Sequence, residues 1–452
     1  MRRRTTALLA VLTLLTALPA AGLAQDAGAP ERRPVLFVHG FSGSGGQFAA
    51  QKLRFVSNGY PESWIDVVDY NSAANIANSD VVEAAIDAKV AELLAETGAD
   101  KVDLLGHSQG TFVSRNWMTD PVWGAARRAL VAHYVNIDGQ AENPGVDTLA
   151  LWAGVPIGGS TDEPRPTMAG AKNVTIPGQP HVEVATSRAA FEEVHRFFTG
   201  VAPKHGVTSV EGPVRIAGKA VAFPANTGLA PSTVAVWPVD ERGVRLSSAP
   251  TATFQVTDGS QGGGDWGPAT VEAGRRYEIS LSRPSLPTRH FYFEPFVRDD
   301  LTLRLNVSDP IGTYAGNRPG TMTVTSIRNK ELRGDQGEAR DVLAVDGVEV
   351  CTPALCPTSK NVSAFYALDV DRDGRTTPGL GDPVISRLAF LSSADVAVTT
   401  GAGSPETARW TLRSRGSATE RALEVPRWDS ATDVVSLQWH DFEPDEVVPL
   451  QR

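Results

Sequence analysis

The sequence predicts an α/β unit with a mostly parallel sheet and helices on both faces, followed by one or two all-β sandwich or barrel domains. Three observations predict this. From about residue 31 to 203, short apolar runs alternate with segments of helical period. Beyond about residue 206 that period nearly vanishes, and short β-branched and aromatic runs are broken by Gly, Pro and Asp. Between the two patterns of the first part stands a tight turn, Gly106-His107-Ser108-Gln109-Gly110, with a strand-like run before it and a helix-like run after it. The expected boundaries are 30–203 for the α/β unit, 207–312 for a first β-rich domain and 313–452 for a second, with the Pro- and Gly-rich residues 310–319 between them.

Taken in order, residues 35–38 (VLFV) read as a strand and residues 64–70 (WIDVVDY) as another. Residues 80–97 read as a helix with Val82, Ile86, Val90, Leu93 and Leu94 on one face and Gly98 as its stop. Residues 102–105 form the strand before the turn and residues 111–118 the helix after it. Residues 133–137, 148–152 and 173–176 read as strands, and 187–198 as a closing helix. Alternating strands and helices imply a parallel sheet, whose ligands sit beyond the carboxyl ends of the strands. Residues 234–237, 251–256, 277–281 and 301–307 are strand-like runs of the β-rich part.

A net charge of −10 over 452 residues argues against a nucleic-acid surface. The one basic run, Arg2 to Arg4, opens a stretch with an apolar core at 7–18 and a small-x-small pattern ending at Ala24. Residues 1–24 therefore read as a secretory signal peptide cut before Gln25, and the protein as secreted. No later segment is apolar enough to span a bilayer. The two cysteines, Cys351 and Cys356, cannot close a zinc site alone. In an oxidising compartment one small-loop disulfide is favoured over two buried thiols.

The G-x-S-x-G turn between strand and helix is the context of a nucleophile elbow, so Ser108 is the candidate nucleophile. A serine needs a base, and the base needs an acid to orient it. Of the eight histidines, His181 lies in a loop between a strand and the last helix. The other seven sit in helices, strands, the linker, the elbow or the loop after the first strand. Two acids compete: Asp138 at the end of a strand, and Asp162 in a polar, Pro-rich stretch. Strand context favours Asp138. The oxyanion donors are expected to be the backbone N–H groups of Gln109 and Phe41, the latter in the Val38-His39-Gly40-Phe41 loop. Phe41, Phe48, Trp117 and Trp152 could wall an apolar substrate site, though Trp117 and Trp152 fit a core equally well. No cofactor is required for this chemistry. Asp369, Asp371 and Asp373 have the D-x-D-x-D-G form of a calcium loop, but its twelfth position is Leu380 rather than Glu. A structural calcium ion and a plain acidic turn both fit.

These residues resemble the α/β-hydrolase lipases and esterases. VLFVHGFSGSGGQF, DKVDLLGHSQGTFVSR and HVEVATSRAAFEEVHRFF are similar to one group of secreted microbial lipases, in which a minimal hydrolase domain precedes a β-rich, lipid-associated region. HFYFEPFVRDDL and CTPALCP share the likeness. The resemblance implies Ser108 as nucleophile, His181 as base and the Asp138-Gly139 pair as the acid position. It implies hydrolysis of carboxylic esters, with acylglycerols as substrates, met at a lipid interface. Gln109 stands where many lipases carry Met, a departure at the pocket floor. Two other readings stay open: an extracellular polyester hydrolase, and a non-catalytic protein that binds lipid or polymer surfaces.

Overall fold

The computed structural model describes residues 31–74, 80–157 and 165–450. The signal peptide expected at 1–24 and the alternative acid Asp162 lie outside these residues. Six strands form the first sheet: β1 (Val35–Val38), β2 (Ile65–Val68), β3 (Val102–His107), β4 (Val131–Ile137), β5 (Asp147–Ala153) and β6 (Lys172–Ile176). Their order is β2-β1-β3-β4-β5-β6, and every neighbouring pair is parallel.

All four side chains of β1 are 0% exposed. Successive strand residues face opposite sides, so a sheet covered on both faces has no polar position to fill. Val35 and Phe37 pack under α1 (Ala49–Ser57) and α6 (Arg188–Thr199), through Phe55, Phe191 and Phe198. Leu36 and Val38 pack on the other face against Val82, Ile86 and Val90 of α2 (Asp80–Thr97) and Trp117 of α3 (Gln109–Thr119). Two short helices, α4 (Gly124–Ala129) and α5 (Glu183–Thr186), complete this part. Helix α2 has the bounds its periodicity predicts, and Gly98 stops it at φ +69°, donating its N–H to the Leu94 carbonyl at 3.0 Å.

Helix α1 was not visible in the sequence. Its polar residues Gln51, Lys52 and Arg54 are buried, each by a partner from elsewhere in the chain. Gln51 donates to the carbonyls of Ala185 and Ser187. Lys52 pairs with Glu62, and Arg54 with Glu446 at 3.0 Å.

The β-rich region holds a mixed eight-stranded sheet. Its order is Ala252–Val256, Ser232–Pro238, Tyr277–Ser282, Thr288–Phe293, Asp433–Gln438, Val324–Leu332, Val362–Leu368 and Leu391–Asp395. Thr288–Phe293 from the first expected β domain pairs in parallel with Asp433–Gln438 from the second. The two stretches thus share one sheet. A four-stranded sheet contains Asp265–Glu272, Pro213–Ala222, Asp300–Val307 and the short Thr227–Gly228, and a second contains Val348–Glu349, Val342–Val345, Thr407–Arg413 and Glu420–Pro426. Val447–Pro449 pairs with Val207–Ser209, just after the hydrolase-like unit. Cys351 and Cys356 are joined in a disulfide. No helix among the described residues is long and apolar enough to cross a membrane.

Candidate active site

Strand β3 ends at His107, and Ser108 follows at φ +53°, ψ −120°, before α3 begins. This conformation is costly for a residue with a side chain, about 1–3 kcal/mol, and close packing on both sides enforces it. A Cβ on Gly106 would lie 2.8 Å from the Gly110 carbonyl oxygen, and one on Gly110 would lie 2.2 Å from that of Val38. Helix α3 can approach the sheet this closely only because both positions are glycine. Gly40 abuts the turn as well: a Cβ there would meet the Ser108 Cβ at 3.0 Å.

Strand β4 ends at Ile137, and Asp138 follows, also at positive φ, +45°. Its Oδ2 accepts from Nδ1 of His181 at 2.6 Å. Its Oδ1 accepts from the Ala153 N–H at 3.0 Å and from Arg165 at 2.7 Å. Burial opposes the charge on Asp138, but the His181 hydrogen bond and charge, the Ala153 N–H and Arg165 outweigh it and hold the carboxyl below the ordinary range. His181 lies in the loop between β6 and α5 and is 2% exposed.

The His181 loop is held from two sides. Gln47 Nε2 donates to Nδ1 of His107 at 2.9 Å, so His107 carries its proton on Nε2 and donates it to the His181 carbonyl at 2.8 Å. Burial and the neighbouring His181 push His107 down to about 3, which keeps it neutral. The two rings lie 4.7 Å apart. From the β-rich region, buried Glu331 accepts the N–H groups of Val182 and Glu183, each at 2.7 Å. Arg333 donates to the Gly178 carbonyl at 3.0 Å, and Arg415 pairs with Glu183.

The loop after β1 is held in a similar way. The His39 ring is buried, stacks on Tyr70 at 4.3 Å and donates from Nδ1 to the Gly40 carbonyl. Asn226, from the β-rich region, donates to the carbonyls of Gly43 and Tyr70, both at 2.9 Å. Asp69 accepts the Gly45 N–H at 2.8 Å and pairs with Arg304 at 2.6 Å. The N–H groups of Phe41 and Gln109 have no acceptor among the described residues. Gln109 directly follows Ser108, and Phe41 directly follows Gly40, which abuts the Ser108 turn.

A cavity of about 370 Å³ is lined by Phe41 to Ser44 of the loop after β1 and otherwise by the β-rich region. Ile311 and Ala315 of α7 (Asp309–Ala315), with Tyr366, Leu388, Phe390 and Leu391, make its walls largely apolar. The substrate wall expected from the sequence needs correction. Phe48, Trp117 and Trp152 are at most 1% exposed and lie in the cores on either face of the sheet. Trp117 donates its indole N–H to Asp87, and Trp152 to Asn173. Of the four aromatic candidates, only Phe41 lines the cavity, at 44% exposure.

The structure brings Ser108, Asp138, His181 and the loop bearing Phe41 to the carboxyl rim of the sheet. Arg165, Gln47, His107, Glu331 and Asn226 were not singled out as site residues. They act through contacts with partners remote in sequence, so no local pattern marks them.

The sequence profile of the lipase (class 2) family matches residues 32–123. That of the lipase C-terminal domain matches residues 212–310, and a further C-terminal-domain profile matches residues 310–443. This chain is a lipase-like α/β-hydrolase with a C-terminal domain. Among solved structures, a CIB-like hydrolase from Thermoplasma acidophilum is 13% identical over 38% of this chain and 86% of its own, with a TM-score of 0.26. Aspergillus fumigatus lipase B is 13% identical over 39% of this chain and 53% of its own, with a TM-score of 0.28. Phospholipase PlaB from Legionella pneumophila is 9% identical over 61% of this chain and 93% of its own, with a TM-score of 0.26. The lipase (class 2) profile over residues 32–123 supports a hydrolase of the lipase and esterase type.

Proposed function

We propose that this hydrolase is a secreted serine lipase that cleaves acylglycerol esters through an acyl-enzyme on Ser108. The observation that carries the reading is the 2.6 Å hydrogen bond that His181 donates to Asp138, on the rim where Ser108 stands in its strained turn. His181 Nε2 takes the Ser108 hydroxyl proton as Oγ attacks the ester carbonyl carbon. The oxyanion accepts from the N–H groups of Phe41 and Gln109. The intermediate collapses, the bond to the alcohol oxygen breaks, and His181 returns the proton to the leaving alkoxide. A water, deprotonated by His181, then attacks the acyl carbon; Ser108 leaves and is reprotonated, and the carboxylic acid is released. Asp138 holds the Nδ1–H tautomer throughout and offsets the transient imidazolium.

The apolar cavity that Phe41 helps to line supports a long acyl chain as the substrate portion, since its volume lies in the range of small-ligand sites. The apolar leader at 1–24 and the Cys351–Cys356 disulfide support secretion. The test is Ser108→Ala, assayed with p-nitrophenyl esters of increasing acyl length. A fall in kcat of about 10⁴-fold or more, in a protein with unchanged circular dichroism, is expected. Retained turnover refutes the reading.

A further inference from the structure

The D-x-D-x-D-G segment plays no part in the chemistry above, yet the fold gathers carboxylates there in an arrangement its spacing did not give. Strands Val362–Leu368 and Leu391–Asp395 are parallel neighbours, with Leu368 opposite Asp395. Their carboxyl ends deliver Asp369 and Asp395 to one place, and the loop after Asp369 brings Asp371 over them. One carboxylate oxygen from each of Asp369, Asp371 and Asp395 lies within 4.8 Å of the others. Asp373 is exposed and is not part of this group. The sequence-based trio of Asp369, Asp371 and Asp373 is thus corrected in its third member.

A cluster of acids alone would say little. The second observation is Asp369, which is only 3% exposed. Its Oδ2 accepts the Gly374 N–H at 3.1 Å, while its Oδ1 is buried with no hydrogen-bond partner among the described residues. A buried carboxylate oxygen without a partner is expensive. Asp395, 1% exposed, spends its oxygens on the N–H groups of Val370 and Thr377. The nearby Arg318 makes no ion pair with these carboxylates; its guanidinium donates to carbonyls, including that of Asp369 at 2.7 Å. The donors at this place are hard, anionic oxygens, and one of them sits on an exposed loop that can adjust.

We propose that Asp369, Asp371 and Asp395 form a calcium site, with Asp369 Oδ1 as its buried ligand. Hard oxygen ligands at about 2.3–2.6 Å, of which carboxylates supply the charge and carbonyls or water complete the shell, suit Ca²⁺. Magnesium demands a tighter octahedron. The ion would brace the cavity wall. Val370, inside the loop, packs with Ile311, Ala315, Leu368 and Ile385, and Arg318 ties the Asp369 carbonyl to the end of α7. The site is independent of Ser108 and can hold even if the acyl-enzyme reading fails.

The test uses the full-length protein stripped with a chelator and then titrated with calcium chloride, followed by calorimetry and thermal melting. One ion should bind, and Tm should rise by about 3 °C at a hundredfold excess over Kd. Asp371→Asn, at an exposed position, should fold normally and lose at least tenfold in affinity. Asp369→Asn should abolish binding. No heat and no Tm shift in the stripped wild type would overturn the proposal, as would wild-type affinity in Asp371→Asn. An equal Tm rise with magnesium chloride would overturn the assignment to calcium.

Discussion

Replacing Glu331 by glutamine changes one oxygen of a buried carboxylate into an amide nitrogen, and the effect should appear at His181. Both Glu331 oxygens accept N–H groups, from Val182 and Glu183, the two residues that follow His181. In Glu331→Gln one of those N–H groups faces a donor. A buried donor left unpaired costs about 1–3 kcal/mol, and the loop can avoid that cost only by moving. A shift near 1 Å at a proton-transfer centre lowers a rate about 10²-fold. We expect kcat on a short-chain ester to fall 10- to 100-fold, with KM little changed because the cavity is untouched. A second readout separates positioning from general damage. Burial, together with the Glu183 charge, pushes the Glu331 carboxyl up from 4.5 to about 7, against the pull of Arg415. Between those values the folded protein keeps a proton that the unfolded chain releases, so stability falls as pH rises through this window. The loss amounts to roughly 3 kcal/mol and is complete above about pH 7. Glu331→Gln cannot ionise and should lack that slope in urea unfolding between pH 4.5 and 7. Unchanged kcat together with an unchanged slope would refute the claim that this carboxylate holds the base loop.

Asp138→Asn should lower kcat by about 10⁴-fold, whereas Asp162→Asn should leave it near wild type; the opposite result in an ester assay would move the acid to Asp162. Ala389→Trp, at an exposed position on the cavity lining, should reduce turnover of long-chain esters far more than that of acetate, read as the ratio of the two kcat/KM values. Arg304→Met leaves Asp69 buried without its partner and should cost about 3–5 kcal/mol in urea unfolding at pH 7. Burial opposes the Asp69 charge, but Arg304 outweighs it and holds the carboxyl below its ordinary range. The stabilisation is therefore present above the ordinary carboxylate pKa and lost as pH falls through the lower folded value, so the gap between Arg304→Met and wild type should close in acid.

The hydrolase sheet was legible because its signals are local. VLFV is apolar at every position since both its faces are covered, and the period of α2 matches a single buried stripe. Ser108 and Asp138 could be placed because each directly follows a strand whose end the pattern marks. What escaped was set by partners far along the chain. Helix α1 has no clean apolar stripe, as Gln51, Lys52 and Arg54 point inward to meet groups brought by tertiary contact. Trp117 and Trp152 could be either pocket wall or core from the sequence, because it gives size and apolarity but not direction. Asp395 joins Asp369 only because two parallel strands end side by side, a register that spacing along the chain does not encode. Glu331 and Asn226 grip loops of the first unit from the second, and no motif announces such a grip.

Arg54 and its partner Glu446 are 392 residues apart, and the strand after Glu446 zips onto the segment where the first unit ends. One short stretch near residue 446 thus carries both a charge clasp and a strand for the first unit, so trimming the chain ahead of it would strip both at once.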